Sequence, residues 1–337
     1  MKEERGFLSW MKEEVEPFLK KNCQYGYLLS RDGISIHYKR YKLEHAQKCV
    51  VISHGFCEFA EKYNEMIYYL LQMGYSVYLP EHRGHGYSDR TVDNPEMVHV
   101  RDYGEYVSDF VRFVENVVMP QEKHRVLFAH SMGGAIGVLT LEQYPHLFEA
   151  AILSSPMCGM QTGKFPHFAA KLLAGYYCLT GRGEKYAAAA GQGGFRKEAN
   201  FAGSSCVSEE RYQYVYEKRL ADVNYHTWGG SYAWVYAGIR ACERLMKKRE
   251  LAKIDVPVLL FAAGRDHMVD NGAISRFAER TGKTRYKLLP DAKHEIYNAG
   301  DAVRREYYDE IFRFLDEEKE KNYEDENEQN RKVLGIV

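Results

Sequence analysis

The chain has 337 residues, of which 45% are hydrophobic and 28% are charged, as in an ordinary soluble globular protein. Its 46 Lys and Arg residues nearly cancel its 47 Asp and Glu residues, so the charge predicts no nucleic-acid partner and no attraction to acidic membranes. The seven cysteines have no CxxC spacing, and we interpret them as free thiols of a reducing compartment. We recognise neither a signal peptide nor a span of about 20 apolar residues, and therefore expect a cytoplasmic protein.

The first 156 residues predict a helix, a hairpin and then alternating strands and helices. Apolar residues at helical spacing predict an amphipathic helix within residues 1–24. Two strand-like runs flank the turn at Arg31-Asp32-Gly33 and predict a hairpin. Strand and helix patterns then alternate, with strands at 49–55, 75–80, 125–130 and 149–155 and helices at 62–73, 102–118 and 132–144. This order predicts the α/β class, with a mostly parallel sheet and helices on both faces.

The alternation stops after residue 156 and resumes with a strand at 256–264. The segment between is rich in Ala, Gly and Tyr and has no strand pattern, so we expect a helical cap or lid inserted between two strands of one sheet. A helix at 271–280, a strand at 285–290 and a helix from about residue 301 complete the pattern. The predicted organisation has four parts: the N-terminal helix (1–24), the core (25–156 and 251–316), the cap (157–250) and a charged tail (317–337).

The segment RVLFAHSMGGAIG has the form of a nucleophile elbow, usually written G-x-S-x-G. A predicted strand ends just before Ser131, and a predicted helix begins just after it. The tight turn needs small side chains two residues before and two after the serine, and Ala129 and Gly133 stand there. An N-cap serine followed by glycines is the structural alternative. The position between a strand and a helix favours the nucleophile.

A serine nucleophile needs two N–H donors to stabilise the oxyanion that forms during the reaction. In an elbow-type site, one donor follows the nucleophile and the other lies in the loop after an earlier strand. The sequence Ser53-His54-Gly55-Phe56 ends such a strand. The backbone amides of Phe56 and Met132 are therefore the predicted pair. An ordinary strand-end turn at Gly55 is the alternative.

The general base and its orienting acid are expected in the chain order Ser, acid, His. His294 follows the last predicted strand and is the preferred base, because His54, His82, His85, His99 and His130 lie earlier in the chain than this order permits. Asp266 directly follows the strand at 256–264 and is the preferred acid. Asp270 remains a competitor, although it is better placed to cap the helix that starts near Asn271.

With these motifs in this order, the chain resembles the α/β-hydrolase superfamily, and more narrowly the monoacylglycerol lipases and bacterial lysophospholipases. The resemblance covers nearly all of residues 25–315 and rests on SHGFCEF, LPEHRGHGYSDR, AHSMGG, PVLLFAAGRDHMVDN and AKHEIYN. It implies triad roles for Ser131, Asp266 and His294, and oxyanion amides at the two positions named above. Some lysophospholipase members lack an aspartate at the position of Asp266, which keeps Asp270 open as the acid.

The resemblance implies a carboxylic-ester hydrolase that acts on lipids with one acyl chain, either lysophospholipids or monoacylglycerols. It implies no cofactor, and no Cys or carboxylate completes a metal-ligand set around His82, His85 and His99. The apolar segment 167–179 is expected to cover an acyl tunnel and to contact a membrane or lipid aggregate, and simple packing onto the core domain is the alternative. An esterase for small esters or a peptide-releasing enzyme with the same triad, and a non-catalytic binding scaffold, are the alternatives. The sequence leaves the oligomeric state open.

Overall fold

The computed structural model describes residues 1–44, 46, 48–163, 165–187 and 194–333, with the backbone alone for 319 and 321–333. Residue 164, residues 188–193 of the predicted cap and residues 334–337 of the predicted tail lie outside the described residues.

Eight strands form a single sheet in the order β1-β2-β4-β3-β5-β6-β7-β8. Their bounds are β1 Cys23–Leu29, β2 Ser35–Tyr41, β3 Lys48–Ser53, β4 Ser76–Pro80, β5 His124–His130, β6 Ala150–Ser154, β7 Val258–Ala263 and β8 Thr284–Leu289. The six strands from β4 to β8 are parallel, and the predicted hairpin of β1 and β2 adds an antiparallel edge. The predicted α/β class with a mostly parallel sheet is thus confirmed.

The helices occupy the predicted positions between the strands. They are α1 Phe7–Trp10, α2 Glu16–Asn22, α3 Asn64–Gln72, α4 Tyr103–Phe113, α5 Met132–Gln143, α6 His167–Leu179, α7 Glu209–Ala221, α8 Tyr232–Leu245, α9 Lys248–Leu251, α10 Asn271–Arg280 and α11 Asp301–Val333. A π-helical segment, Met11–Val15, joins α1 to α2, and a second, Val114–Val118, extends α4. The charged sequence from residue 317, predicted as a tail, continues α11 as a helix, in keeping with the high helix propensity of Glu and Lys.

Alternate residues of the central strands point into two separate cores, one on each face of the sheet. Val51 and Leu127 belong to the core that α4, α5, α8 and α10 cover. Their chain neighbours Ile52 and Phe128 belong to the core that α3, α11 and the N-terminal helices cover. Burial on both faces explains why these strands are continuous apolar runs rather than alternating ones. Because these strands run parallel, the carboxyl ends of β3, β5, β7 and β8 lie at one edge of the sheet.

Four helices, α6 to α9, lie between β6 and β7 in the chain, and no strand is found among the described residues from 155 to 257. Helix α7 contacts the core because its buried Arg211 hydrogen-bonds to Glu65 of α3. The buried Arg304 of α11 hydrogen-bonds to the same carboxylate. Lys218 of α7 also pairs with Glu16 at 2.7 Å. In the described part of the chain, no helix is both long and apolar enough to cross a membrane.

Candidate active site

Ser131 stands in the turn between β5 and α5 with φ 54° and ψ −121°, a conformation that non-glycine residues rarely adopt. Backbone hydrogen bonds on both sides hold this strained residue: its N–H donates to Ser154 O at 3.2 Å, and its carbonyl accepts from several N–H groups, including that of Met157 at 2.9 Å. A Cβ on Gly133 would lie 2.1 Å from the carbonyl oxygen of Ser53. The requirement for a small residue two positions after the serine therefore arises from contact with the end of β3.

Three side chains from three loops at this edge form a continuous hydrogen-bonded chain. The Oγ of Ser131 lies 2.7 Å from Nε2 of His294, and Nδ1 of His294 lies 2.7 Å from Oδ2 of Asp266. Ser131 is only 8% exposed and His294 only 4%. The structure thus brings together the serine, the base and the preferred acid that the sequence predicted.

The carboxylate of Asp266 is fully buried and uses both of its oxygens. While Oδ2 faces His294, Oδ1 accepts from the backbone N–H groups of Met268 at 2.8 Å and Val269 at 3.1 Å. Burial alone would raise the pKa of this carboxyl, but the hydrogen bond and charge of His294, assisted by the two N–H groups, lower the pKa below its usual value. Asp266 is therefore held as an anion beside the imidazole.

Asp270, the competing acid, has a different set of partners. Its Oδ1 accepts from the N–H of Gly272 at 2.8 Å as the N-cap of α10, and its Oδ2 lies 3.3 Å from Arg276. Its own N–H donates to the carbonyl of Gly159. These contacts fit the helix-capping role that the sequence suggested for Asp270.

The two predicted oxyanion donors lie on loops that touch each other. Met132 is the first residue of α5, and Phe56 follows the end of β3, whose Ser53 Oγ donates to the carbonyl of Gly133 at 3.2 Å. A Cβ on Gly55 would lie 3.1 Å from the ring of His130, the residue before Ser131. Within the described residues, no group accepts a hydrogen bond from the backbone N–H of Phe56 or Met132. Both N–H groups are therefore without a protein acceptor in the described part of the chain.

A buried cluster of charges beside His294 is a feature that the sequence analysis missed. Lys62 Nζ lies 2.6 Å from Glu58 and 2.9 Å from Glu295, the residue after His294. Burial opposes ionisation of Glu58, but the charge of Lys62 holds the pKa of this carboxyl well below its usual value. The signal in the sequence is the i, i+4 pair of Glu58 and Lys62, directly after the loop that carries the predicted oxyanion donor Phe56.

His130 packs between this cluster and the candidate base, with its ring centroid 4.8 Å from that of His294. Its Nδ1 donates to the carbonyl of Ser154 at 3.0 Å. Burial lowers the pKa of His130 to about 4, so this ring is neutral near pH 7 and places no positive charge next to the base.

His54, His82 and His85 pack against one another, and His99 Nδ1 pairs with Ser231 Oγ. In the described part of the chain, no group of three or more His, Cys, Asp or Glu residues has an arrangement that could hold a metal ion. The described cysteines are all free thiols. Burial raises the pKa of the Cys57 thiol to about 11, so this thiol is protonated near pH 7.

Comparison with known proteins identifies the family of this chain and finds solved structures with the same fold. Residues 44–301 match the sequence profile of the Hydrolase_4 family, described as serine aminopeptidase, S33. Lysophospholipase L2 of Escherichia coli strain K12 is 31% identical over 281 residues, which cover 81% of this chain and 82% of that protein. Probable lysophospholipase L2 of Haemophilus influenzae is 28% identical over 270 residues, covering 80% and 84%.

A soluble variant of monoglyceride lipase from Saccharomyces cerevisiae, solved in complex with a substrate analog, superimposes with a TM-score of 0.66 at 20% identity. The superposition covers 88% of this chain and 96% of that one, and it shows the shared fold. The profile match covers most of the chain. The chain therefore belongs to the Hydrolase_4 family of serine hydrolases and has the α/β-hydrolase fold.

Proposed function

We propose that the protein is a carboxylic-ester hydrolase that uses Ser131, His294 and Asp266 as a catalytic triad. The observation that carries this proposal is the unbroken hydrogen-bonded chain from Ser131 Oγ through both nitrogens of His294 to Asp266. Nucleophile, base and orienting acid are within hydrogen-bond reach of one another, which is the geometric requirement for such a triad.

The proposed reaction proceeds through an acyl-enzyme. Asp266 accepts a hydrogen bond from Nδ1–H of His294, which leaves the lone pair of Nε2 facing Ser131 Oγ. As Oγ attacks the ester carbonyl, Nε2 takes its proton, and the N–H groups of Phe56 and Met132 stabilise the oxyanion. His294 then gives the proton to the leaving alcohol, and water releases the acyl group by the same route.

We further propose that the substrates are lipids with one acyl chain, either lysophospholipids or monoacylglycerols. The names of the relatives support this class, and so does the surface of α6 in the proposed cap, residues 157–250. Phe168, Leu172, Tyr176 and Leu179 follow one face of this helix and are 68%, 70%, 57% and 90% exposed. An apolar face of this kind is suited to contact with a lipid aggregate or a membrane surface.

The test uses purified protein, Ser131→Ala and the control Ser154→Ala, which changes a buried serine at the end of the neighbouring strand β6. We expect wild type and Ser154→Ala to hydrolyse p-nitrophenyl esters and to be labelled by a fluorophosphonate probe. Ser131→Ala should fold normally, by circular dichroism, and lose both properties. Hydrolysis or labelling that survives in Ser131→Ala contradicts the assignment of the nucleophile.

A substrate panel separates the lipid proposal from its alternatives. Preferential turnover of lysophospholipids or monoacylglycerols over acetate and butyrate esters supports it, whereas a preference for short acyl groups contradicts it. The family description as serine aminopeptidase favours a second candidate, release of N-terminal amino acids. Aminoacyl p-nitroanilides test that candidate, and their cleavage in place of lipid esters would favour the peptidase.

A further inference from the structure

Four side chains hold the backbone on both sides of the proposed oxyanion residue Phe56. On the amino-terminal side, the N–H of Gly55 donates to Oε2 of Glu58 at 2.6 Å, and the carbonyl of Gly55 accepts from Nδ1 of His54 at 2.8 Å. Both side chains are buried. The peptide that carries the N–H of Phe56 contains this carbonyl of Gly55, so His54 fixes the direction in which that N–H points.

The carboxyl-terminal side is held by residues from two other parts of the chain. The N–H of Cys57 donates to Nε2 of His85 at 3.1 Å, and its carbonyl accepts from Nη2 of Arg219 in α7. Cys57 has φ 55°, one of three non-glycine residues with positive φ in the described chain. Such a strained backbone persists only where its surroundings over-determine it, and these two hydrogen bonds supply that constraint.

The partners of His54 and His85 also fix their tautomers. Nδ1 of His85 faces the carbonyl of Arg83 at 3.1 Å and must carry the hydrogen, so Nε2 accepts from Cys57. Nδ1 of His54 must likewise carry the hydrogen, because Nε2 accepts from the N–H of His82 at 2.9 Å. Two neutral imidazoles therefore connect the HRGHG loop, residues 82–86, to the loop that carries Phe56.

Within the described residues, the guanidinium of Arg219 forms no ion pair with a carboxylate. It donates to the carbonyl of Cys57 and lies 5.5 Å from the ring centroid of the buried Phe59. Cys57 and Arg219 are separated by 162 positions in the sequence, and Arg219 belongs to the helices between β6 and β7. The same stretch contributes Trp234, whose ring centroid lies 4.2 Å from that of Phe56. This part of the chain thus contacts the loop at two points.

We propose that Arg219 and His85 are positioning residues that preorganise the Phe56 N–H for the oxyanion, so that helix α7 of the insertion helps to build the catalytic site. This inference rests on the proposed ester hydrolysis and on the oxyanion role of Phe56. An N–H donor stabilises a transition state only if it already points to where the charge develops. Loss of a bond that holds its loop therefore lowers kcat, while the binding of the ground-state ester changes little.

The first test removes the donor at Arg219. Arg219→Met is compared with Arg112→Met, since Arg112 is also half-buried and donates to a backbone carbonyl, that of Leu29, at 2.7 Å. For Arg219→Met we expect a fall in kcat of about 10- to 100-fold with KM within about twofold, because misplacing one oxyanion donor has effects of this order. Arg219→Lys, which keeps a donor, should recover part of the loss, and Arg112→Met should leave kcat unchanged.

The second test asks whether the loss concerns the oxyanion itself. An alkyl trifluoromethyl ketone binds serine hydrolases as a tetrahedral adduct with a negatively charged oxygen. Across wild type, Arg219→Met and Arg219→Lys, log Ki for this ketone should rise in step with the fall in log kcat/KM. Unchanged Ki in a variant with reduced kcat/KM overturns the proposal, and so does a loss expressed only in KM.

His85 supplies an independent pair of variants. His85→Gln keeps an acceptor that can reach the N–H of Cys57, whereas His85→Leu removes it. We expect His85→Gln to retain several times more kcat than His85→Leu at similar melting temperatures, and equal losses contradict the positioning role.

If wild type hydrolyses no ester, or Ser131 is not labelled by fluorophosphonate, the proposed function fails. An active wild type with unaffected Arg219 and His85 variants overturns this inference alone.

Discussion

Asp266 and His294 are 28 positions apart in the chain, yet Oδ2 of the first lies 2.7 Å from Nδ1 of the second. Parallel strands β7 and β8 are adjacent in the sheet, and their carboxyl ends deliver both residues to the same edge. The backbone N–H groups of Met268 and Val269 hold the second oxygen of Asp266, so its carboxylate is oriented before any substrate binds. In a catalytic triad, the main role of the acid is to orient the imidazole.

Asp266→Asn should lower kcat by about 10³- to 10⁴-fold, because an amide at this position favours the wrong tautomer of His294. The matched variant is Asp270→Asn, which keeps an N-cap residue on α10 and loses only an exposed pair with Arg276. Its kcat should stay within about twofold of wild type. Steady-state kinetics on a soluble ester show which of the two aspartates is the acid. A large loss in Asp270→Asn with little change in Asp266→Asn would reverse the assignment of the acid.

Gly133→Ala tests the contact that makes the turn at Ser131 so tight. The added Cβ would lie 2.1 Å from the carbonyl oxygen of Ser53, and neither backbone can yield easily. We expect a loss of about 2 kcal/mol in the free energy of unfolding and a loss of ester hydrolysis, because α5 and the end of β3 must separate. Gly282→Ala is the control, since its Cβ would meet nothing within 4 Å. Chemical denaturation and activity assays should find it close to wild type, and equal behaviour of the two variants would refute the steric argument.

Leu172→Ser tests the proposed lipid-facing surface of α6. This side chain is 70% exposed, so its replacement should leave stability and the turnover of p-nitrophenyl acetate unchanged. Binding to phospholipid vesicles, and hydrolysis of lysophospholipid presented in them, should fall about fivefold, since partial burial of one leucine contributes about 1 kcal/mol. Leu29→Ser, at a 61% exposed leucine on the edge strand β1, is the control. Vesicle sedimentation that responds equally to both substitutions would argue against a specific surface on α6.

The sequence predicts those parts of the fold that repeat a local pattern. Buried parallel strands read as short apolar runs, and β3, β5 and β7 all begin and end within two residues of the predicted bounds. Ser131 is recognisable because the elbow is itself a local motif between a strand and a helix. Asp270 is recognisable as an N-cap for the same reason, so the sequence favours Asp266 over Asp270 as the acid.

The contacts that support the site are less accessible from sequence because they depend on how distant elements pack. Nothing near Arg219 indicates that it will reach the carbonyl of Cys57, 162 positions earlier. The pair of Glu58 and Lys62 is local, but its completion by Glu295 requires the last loop of the sheet to return to the first. Contacts of this kind depend on the tertiary structure, and a single sequence carries no periodic signal that predicts them.

Glu142 gives a prediction about stability and pH. This residue of α5 is 2% exposed, and neither carboxylate oxygen has a hydrogen-bond partner within the described chain. Burial, followed by the nearby charge of Glu250, raises its pKa from 4.5 to about 8. The folded state therefore holds a proton that the unfolded state has already lost above pH 4.5. Stability falls as the pH rises from about 4.5 to about 8, and above that range the cost is constant.

Glu142→Gln removes this cost because the amide does not ionise. We expect no gain in the free energy of unfolding at pH 4, an increasing gain between pH 5 and pH 8, and a plateau of about 2–4 kcal/mol near pH 9. Glu115→Gln, at an exposed carboxylate that follows α4, should give a flat difference across the same range. Urea denaturation of the three proteins at each pH measures these differences. A gain from Glu142→Gln that is as large at pH 4 as at pH 9 would mean that packing, and not the buried charge, limits stability at this position.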